Sequence, residues 1–154
     1  MSLDVVVDDG VAIEAPLKKQ LTREVARMVR AAALTDACRD YEVVLRLVDD
    51  ETIHALNRDY RAKDQPTDVL AFAQREGPAG ALHPELLGDL VISVDTARKQ
   101  AKRGLSAELL HLASHGLCHL LGYDHRDDDE ERVMNRRARA LRREARRKGR
   151  VQAG

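Results

Sequence analysis

Apolar runs near the start of the chain predict two strands with a helix between them. Residues 3–9 read LDVVVDD and residues 41–50 read YEVVLRLVDD, so each run is rich in β-branched residues and contains acidic turn residues at its end. This length and composition are typical of β-strands. Residues 16–34 repeat apolar side chains at helical spacing, and Pro16 favours a first helical turn. The chain is therefore predicted to open as strand, helix, strand.

The middle of the chain is predicted to hold a short helix, two more strands and a loop. The helix follows the second strand, with Asp49 or Asp50 as its N-cap. Residues 69–73, VLAFA, and residues 88–94, GDLVISV, are the third and fourth predicted strands. Residues 75–85 between them contain prolines and glycines and form the longest predicted loop.

Three more helices are predicted towards the end of the chain. Residues 95–103 form a helix that ends at Gly104, and Ser106 is the expected cap of the next helix, which carries several histidines. The last helix covers residues 128–147. Its predicted apolar face consists of Val133, Ala138, Leu141 and Ala145.

Composition indicates one globular domain in a reducing compartment. The 154 residues are 44% apolar and 3% aromatic, so the core must be built from aliphatic side chains. Residues 1–147 are predicted to form a single domain, and residues 148–154 a disordered basic tail. Cys38 and Cys118 are too few for a disulfide framework. Without a long apolar span or a basic leader, the chain is predicted to be cytoplasmic, with no membrane partner.

Charge is balanced overall but segregated along the chain. The 26 basic and 26 acidic residues argue against a uniform polycation or polyanion. Residues 127–131 are all acidic, whereas residues 132–150 contain ten Lys or Arg and a single acid, Glu144. The last helix is therefore strongly basic on a chain that carries no net charge.

Residues 115–125, HGLCHLLGYDH, hold three of the six histidines. His115 and His119 lie four positions apart, which on a helix places their Cβ atoms ~5–6 Å apart and allows both to bind one zinc ion. His125 joins them only if the chain turns back, and Gly122 stands where that turn is needed. Any one of these histidines alone is more typical of a core or surface position. As a set they predict a metal site.

Three neutral imidazoles leave a fourth zinc position open to water, which is the arrangement of a catalytic site. His111, one turn before His115, is interpreted as a neighbour of the ligands because a fourth imidazole would fill that position. Cys118 is a conceivable soft ligand, but a free cysteine packed at the helix edge is favoured. The spacing predicts metal-assisted hydrolysis.

The histidine spacing is also that of the metzincin proteases, which carry a glutamate directly after the first histidine as general base. Gly116 occupies that position here, and glycine cannot accept a proton. A metal still lowers the pKa of bound water and polarises a phosphoryl oxygen. The sequence therefore remains compatible with metal-assisted hydrolysis but argues against proteolysis.

Three stretches together resemble the YbeY family of bacterial metal-dependent endoribonucleases. They are residues 115–125, residues 56–72, LNRDYRAKDQPTDVLAF, and residues 88–93, GDLVIS. The resemblance implies a compact α/β fold with a four-stranded mixed sheet covered by helices, one of which binds the metal. It also implies cleavage of single-stranded RNA, 3′-end maturation of small-subunit ribosomal RNA and ribosome quality control.

For the site, the resemblance implies one zinc ion, or another divalent metal, on His115, His119 and His125. It places the family's arginine at Arg61, where a guanidinium clamps a phosphate and stabilises charge in the transition state. Without the resemblance, an arginine at a helix end is more simply explained by pairing with Asp59 or Asp64.

Three aspartates remain open as helpers, and no general base is assigned. Asp68 and Asp89 are interpreted as heading strands, where turn formation is favoured over positioning of a water molecule. Asp124 either orients His125 or is an ordinary loop carboxylate.

The strongly basic residues 136–150 depart from the family's usual pattern. They either contact RNA phosphates or form a solvated face that pairs with residues 127–131. Two other functions also remain as alternatives, a zinc peptidase and a ribosome-binding module whose metal is only structural. The prediction itself is an endoribonuclease that acts on ribosomal RNA with the small ribosomal subunit as its partner.

Overall fold

A computed structural model describes residues 1–36, 40–74 and 85–154. Within these ranges the elements are β1 (Ser2–Val7), α1 (Ala15–Thr35), β2 (Glu42–Val48), α2 (Asp50–Arg61), β3 (Val69–Ala73), β4 (Leu86–Ser93), α3 (Val94–Gln100), α4 (Leu105–Leu120) and α5 (Asp128–Arg146). Cys38 and nearly all of the predicted loop at 75–85 lie outside the described residues. Among the described helices, none has the length and apolar character needed to cross a membrane.

The four strands form one mixed sheet in the order β1-β2-β4-β3. β1, β2 and β4 run parallel, and β3 is antiparallel to β4. Helices connect the parallel strands, as such crossovers require. The predicted α/β fold, with a four-stranded mixed sheet covered by helices, is confirmed.

The two faces of the sheet are covered unequally. Alternate side chains of the central strands, such as Leu45 and Leu90, pack into the main aliphatic core with α1, α4 and α5. The side chains between them point the other way, and Val48 and Val91 meet Ile53 of α2 in a small second cluster. Because α4 packs in the main core, its contacts with α1, α5 and the sheet fix its position.

Several sequence predictions of helix details are wrong. Ser106 does not cap α4, which begins at Leu105 after Gly104, a glycine with φ +95° that provides the entry turn. α3 ends at Gln100, three residues earlier than predicted. On α5 the buried position belongs to Met134, and Val133 is 49% exposed, because one residue along a helix rotates the side chain by about 100°.

The residues after α5 contact α1 and α5, which differs from the predicted disordered tail. Val151 is buried, and the N–H of Gly154 donates to the carbonyl of Ala31 at 3.1 Å. The N–H of Gln152 donates to Glu144 Oε1 at 2.9 Å. An apolar residue inside the basic segment gives it an anchor that charge counting overlooks. The domain boundary at residue 147 stays a prediction.

The start of α2 is held by two aspartates, which positions the whole helix. Asp49 is the N-cap, one of the two residues predicted, and accepts the N–H of Thr52 at 2.8 Å. Asp50 accepts hydrogen bonds from the hydroxyls of Ser93 and Thr96, each at 2.5 Å, and from Lys99 Nζ at 2.7 Å. These bonds fasten α2 to the β4–α3 junction.

Replacing Asp50 with asparagine is expected to lower the free energy of unfolding by about 1–2 kcal/mol at pH 7. Burial raises the pKa of Asp50, but the hydrogen bonds from Lys99, Ser93 and Thr96 outweigh it and lower this pKa to about 2. Since the folded pKa lies below the unfolded value, the ionised carboxylate stabilises the fold above about pH 4. That contribution is lost as the pH falls towards 2.

Urea unfolding of wild type and Asp50→Asn at pH 7, 5 and 3 measures the effect, and the difference between them should narrow towards pH 3. Asp59→Asn is the matched control, because Asp59 is 57% exposed and its one ion pair among the described residues is with its neighbour Arg58. A difference that stays constant from pH 7 to pH 3 would contradict the electrostatic explanation.

Candidate metal centre

The last turns of α4 bring two histidines to one side of the helix. His115 and His119 are half-buried, and their ring centroids lie 5.0 Å apart. The residues next to them, Gly116, Leu117 and Cys118, are buried. Within residues 115–119, solvent therefore reaches the helix at the two imidazoles.

Gly122 ends α4 and turns the chain back. It adopts φ +100°, and its N–H donates to the carbonyl of His119 at 3.0 Å, while the N–H of Tyr123 donates to the carbonyl of Cys118 at 3.0 Å. This pair of bonds is the Schellman motif. The reversed chain places the His125 ring 5.2 Å from that of His119. The predicted glycine turn is confirmed.

Gly122→Ala is expected to lower the free energy of unfolding by about 1 kcal/mol, because a side chain disfavours the left-handed conformation. A Cβ at this position meets no atom within 4 Å, so the cost arises from the backbone alone. Thermal unfolding measures it. Gly122→Asn should lose less, since asparagine tolerates this conformation. Equal losses in the two variants would contradict a backbone origin.

The nitrogen atoms of His115, His119 and His125 that could bind a metal all lie within 4.8 Å of one another. Each nitrogen of a zinc ligand lies ~2.0–2.1 Å from the ion, so the three rings have to close in on the ion when it binds. His119 Nδ1 lies 3.1 Å from the carbonyl oxygen of Tyr123. Because a carbonyl only accepts, Nδ1 carries the proton and Nε2 keeps a free lone pair. The three histidines are thus positioned to bind one metal ion.

Burial keeps the imidazoles of His115 and His119 neutral. It lowers the pKa of His115 to about 4, together with the nearby His119 and His125. The pKa of His119 is also lowered, first by burial and then by His125. Neutral imidazole is the form that binds a metal. The donor set therefore suits a divalent cation of the zinc type at neutral pH.

The three histidines line one side of a cavity of about 720 Å³. The end of α2, the segment that follows it and β3 form the other side. Asn57, which is buried, donates from Nδ2 to the carbonyl of Gln65 at 2.9 Å and so holds that segment in place. Sequence reasoning missed Asn57, although an amide four positions after the buried Ile53 on the same helix face was a usable signal.

Arg61 lies in the same cavity as the histidines. Its Nη2 donates to the carbonyl of Ala71 at 2.5 Å, and its guanidinium carbon lies 5.0 Å from the centroid of the Phe72 ring. The simpler explanation from sequence was a pair with Asp59 or Asp64, but these carboxylates pair with Arg58 and His54. Within the described part of the chain, no carboxylate forms an ion pair with Arg61, so its charge is available to a ligand.

The three aspartates that sequence suggested as possible helpers of the metal site lie in different parts of the structure. Asp68 lines the cavity, but its oxygens accept the N–H of Val69 at 2.8 Å and the amide of Gln100 at 3.1 Å, as expected for a turn residue. Asp124 also lines it and accepts the N–H of His125 at 2.8 Å. Asp89 was predicted to head a strand, but it lies within β4 and lines a different groove.

The two remaining candidates on α4 differ in exposure. His111 is exposed and lines the cavity beside His115. Cys118 is buried in the core, and burial raises the pKa of its thiol to about 11. Cys118 is not among the residues that line the cavity, which agrees with the favoured prediction of a packed cysteine.

Gly116, the position of the metzincin glutamate, faces the sheet. A Cβ there would lie 2.7 Å from Leu90 Cδ2 and 3.2 Å from Val69 Cγ2. Contacts this short require the Leu90 side chain or the helix to shift before a larger side chain fits. The structure therefore supplies no general base at the position where that protease mechanism requires one.

Comparisons with known proteins agree with this geometry. The family model described as endoribonuclease YbeY matches residues 10–146. A protein named endoribonuclease YbeY from Pelotomaculum thermopropionicum is 43% identical over 132 residues, which cover 82% of this chain and 85% of the relative. One of the same name from Geobacillus kaustophilus is 49% identical over 116 residues, covering 70% and 74%.

Among solved structures, the solution structure of TM1509 from Thermotoga maritima is similar, with a TM-score of 0.58 and 24% identity. The match covers 93% of this chain and 88% of that one. At this identity the likeness concerns the fold.

Proposed function

The chain belongs to the YbeY endoribonuclease family, and we propose on this basis that it cleaves single-stranded RNA with one divalent cation held by His115, His119 and His125. The observation that carries the proposal is the presence in one cavity of three clustered imidazoles and of an arginine that forms no ion pair with the described residues. A cation held there supplies Lewis acidity, which polarises a phosphoryl oxygen and makes water more acidic.

The protein's own groups provide binding and orientation. His119 is held by its bond to the Tyr123 carbonyl, so its Nε2 points in a fixed direction. Arg61 is the proposed catalytic residue. Its guanidinium donates to a non-bridging phosphate oxygen and stabilises the negative charge that builds up there. Phe72 and the Ala71 carbonyl hold the guanidinium at the cavity edge.

Zinc is the proposed metal, since it binds three imidazoles well and leaves a position open for a reactant. Other divalent ions of the first transition row also accept imidazole, so the donor set allows them. We assign no residue as general base.

The biological setting that we propose follows from family membership. The RNA is ribosomal, the reaction matures the 3′ end of small-subunit ribosomal RNA and serves ribosome quality control, and the partner is the small ribosomal subunit. The protein then acts in the cytoplasm. These assignments depend on the family, whereas metal binding and the role of Arg61 are argued from residues of this chain.

The proposal is tested by offering the metal-loaded protein three substrates side by side: a single-stranded RNA, its duplex and an unfolded polypeptide. We expect cleavage of the single strand only. Peptide cleavage that disappears in His119→Ala would instead support a zinc peptidase. If the metal-loaded protein cleaves none of the three, the chain is a binding module with a structural metal.

We also propose that α5 contacts RNA phosphates. Its outward face carries a row of arginines, Arg132, Arg136, Arg139, Arg143 and Arg146. Asp129 pairs with Arg132, and Glu24 with Arg146. Arg136, Arg139 and Arg143 form no ion pair in the described ranges. Three of the five guanidinium groups are therefore free to bind phosphates.

The double variant Arg139→Gln/Arg143→Gln is expected to weaken RNA binding and to flatten its salt dependence. Removing one arginine–phosphate interaction reduces the slope of log K against log salt by ~0.7 for a single strand, so about 1.4 is expected for two. Fluorescence anisotropy with a labelled single strand at several salt concentrations measures it. Lys19→Gln/Arg23→Gln on α1 is the control with the same change in charge. An equal slope change in both variants would contradict a specific role for α5.

A further inference from the structure

Two of the four aromatic residues of the chain lie together at the surface, away from the main core. Tyr60 and Phe72 are in edge-to-face contact, with ring centroids 5.7 Å apart and planes at 74°. Tyr60 is 67% exposed. An exposed tyrosine beside a half-buried phenylalanine is unusual in a protein with so few aromatic residues, and the packing of the core does not require Tyr60.

The pair borders a groove of about 350 Å³ on the sheet face that α2 covers only in part. We call this the aromatic groove, and its lining includes Val44, Leu56, Tyr60, Phe72, Asp89 and Val91. Its walls are mainly apolar, and they also include two charged residues, Arg46 and Asp89. Apolar walls with a few polar groups that fix orientation are typical of ligand sites.

The carboxylate of Asp89 has no hydrogen-bond or ion-pair partner among the residues that the structure describes. The neighbouring base, Arg46, is engaged by Asp8 through two bonds of 2.8 Å each. Asp89 is exposed, and partial burial against the groove walls raises the pKa of its carboxyl. A ligand in the groove can therefore reach the carboxylate and donate hydrogen bonds to it.

The aromatic groove adjoins the metal cavity through Arg61. This side chain lines the cavity and stacks over the ring of Phe72, which lines the groove. Along β3, Ala71 and Ala73 line the cavity while Phe72 between them lines the groove, because successive side chains point to opposite faces. Because β3 is the last strand of the sheet and Arg61 reaches the Phe72 ring, a strand of RNA with a phosphate at Arg61 reaches the groove by passing around β3.

We propose that the aromatic groove binds a nucleobase of the single-stranded RNA, with Tyr60 stacked on the base and Asp89 bonded to its edge. This inference rests on the proposed function and extends it from a phosphate to a base. Aromatic stacking is a common way of holding splayed bases. A carboxylate only accepts hydrogen bonds, and guanine presents two adjacent donors, N1–H and the N2 amino group, so guanine is the expected base.

Fluorescence anisotropy tests this with the metal-loaded protein and single-stranded hexadeoxynucleotides, which retain bases and phosphates. Four otherwise identical strands carry guanine, hypoxanthine, adenine or cytosine at one position. Wild type should bind the guanine strand about tenfold more tightly than the hypoxanthine strand, which lacks the N2 amino group. Asp89→Asn should remove this preference.

Tyr60→Ala should weaken binding of the guanine strand about 5- to 100-fold, as for the loss of one stacked base. Tyr60→Phe should retain the affinity because the ring remains. Leu34→Ala, which truncates another exposed apolar side chain, is the control and should change nothing. Unchanged affinity in Tyr60→Ala would overturn the proposal and leave the groove to a protein partner, and equal binding of guanine and hypoxanthine strands would overturn the role of Asp89.

Cleavage of RNA by the same protein preparation separates this proposal from the function on which it rests. Cleavage without any dependence of binding on Tyr60 rejects the base site and keeps the endoribonuclease. Tyr60-dependent binding without cleavage keeps the base site and rejects the endoribonuclease.

Discussion

Replacing His119 with alanine is expected to abolish metal binding and to reduce RNA cleavage by about 10³-fold or more. The change removes one of three imidazoles and leaves two, which do not hold an open zinc site. It also removes the bond from Nδ1 to the Tyr123 carbonyl that joins α4 to the turn. A metal contributes several kcal/mol to a hydrolytic transition state, and ~1.36 kcal/mol corresponds to a tenfold change in rate.

Metal content and the rate of cleavage of a single-stranded RNA should be measured on the same preparation. His54→Ala is the matched control, because His54 pairs with Asp64 at 2.7 Å and is not among the residues that line the cavity. It should keep both properties. A His119→Ala protein that retains wild-type cleavage would show that the histidine site is not catalytic.

Arg61→Ala is expected to lower kcat by about 10²–10³-fold while the metal content stays at its wild-type level. The guanidinium lies in the histidine cavity, free of carboxylate partners among the described residues, and acts on charge that appears in the transition state. Loss of such an interaction lowers kcat and kcat/KM together. Arg61→Lys should recover only part of the rate, because an ammonium lacks the two-pronged geometry.

Arg58→Ala on the same helix is the control for Arg61, since Arg58 is exposed and pairs with Asp59 at 3.1 Å. We expect wild-type kcat and KM for it. An Arg61→Ala protein with an unchanged kcat would exclude a catalytic role, and one that has lost its metal would assign Arg61 to the stability of the site.

The histidine side of the cavity was predictable from sequence because it is local. Four-residue spacing places His115 and His119 on one helix face, and a glycine at the end of the helix returns the chain to His125. The opposite side was not predictable from spacing. It depends on tertiary contacts, such as the bond of Arg61 to the Ala71 carbonyl and that of Asn57 to Gln65.

In the fold, too, local features were predictable from sequence and features that depend on distant contacts were not. The strands were predictable because β-branched runs are strong local signals. Their order and the reversed direction of β3 follow from packing between distant segments, which residue patterns do not contain. The start of α4 was missed because Ser106 looks like a cap, whereas the preceding Gly104 already provides the turn. Asp89 was misplaced since its position within β4 became clear only from the pairing with Val44.

The metal content of the protein, purified without a histidine tag and without chelators, tests the central claim most directly. The geometry predicts one divalent ion per chain in the wild type and none in His119→Ala. A wild-type protein that is folded, cleaves RNA and contains no stoichiometric divalent metal would contradict the claim that the three histidines hold a catalytic metal ion.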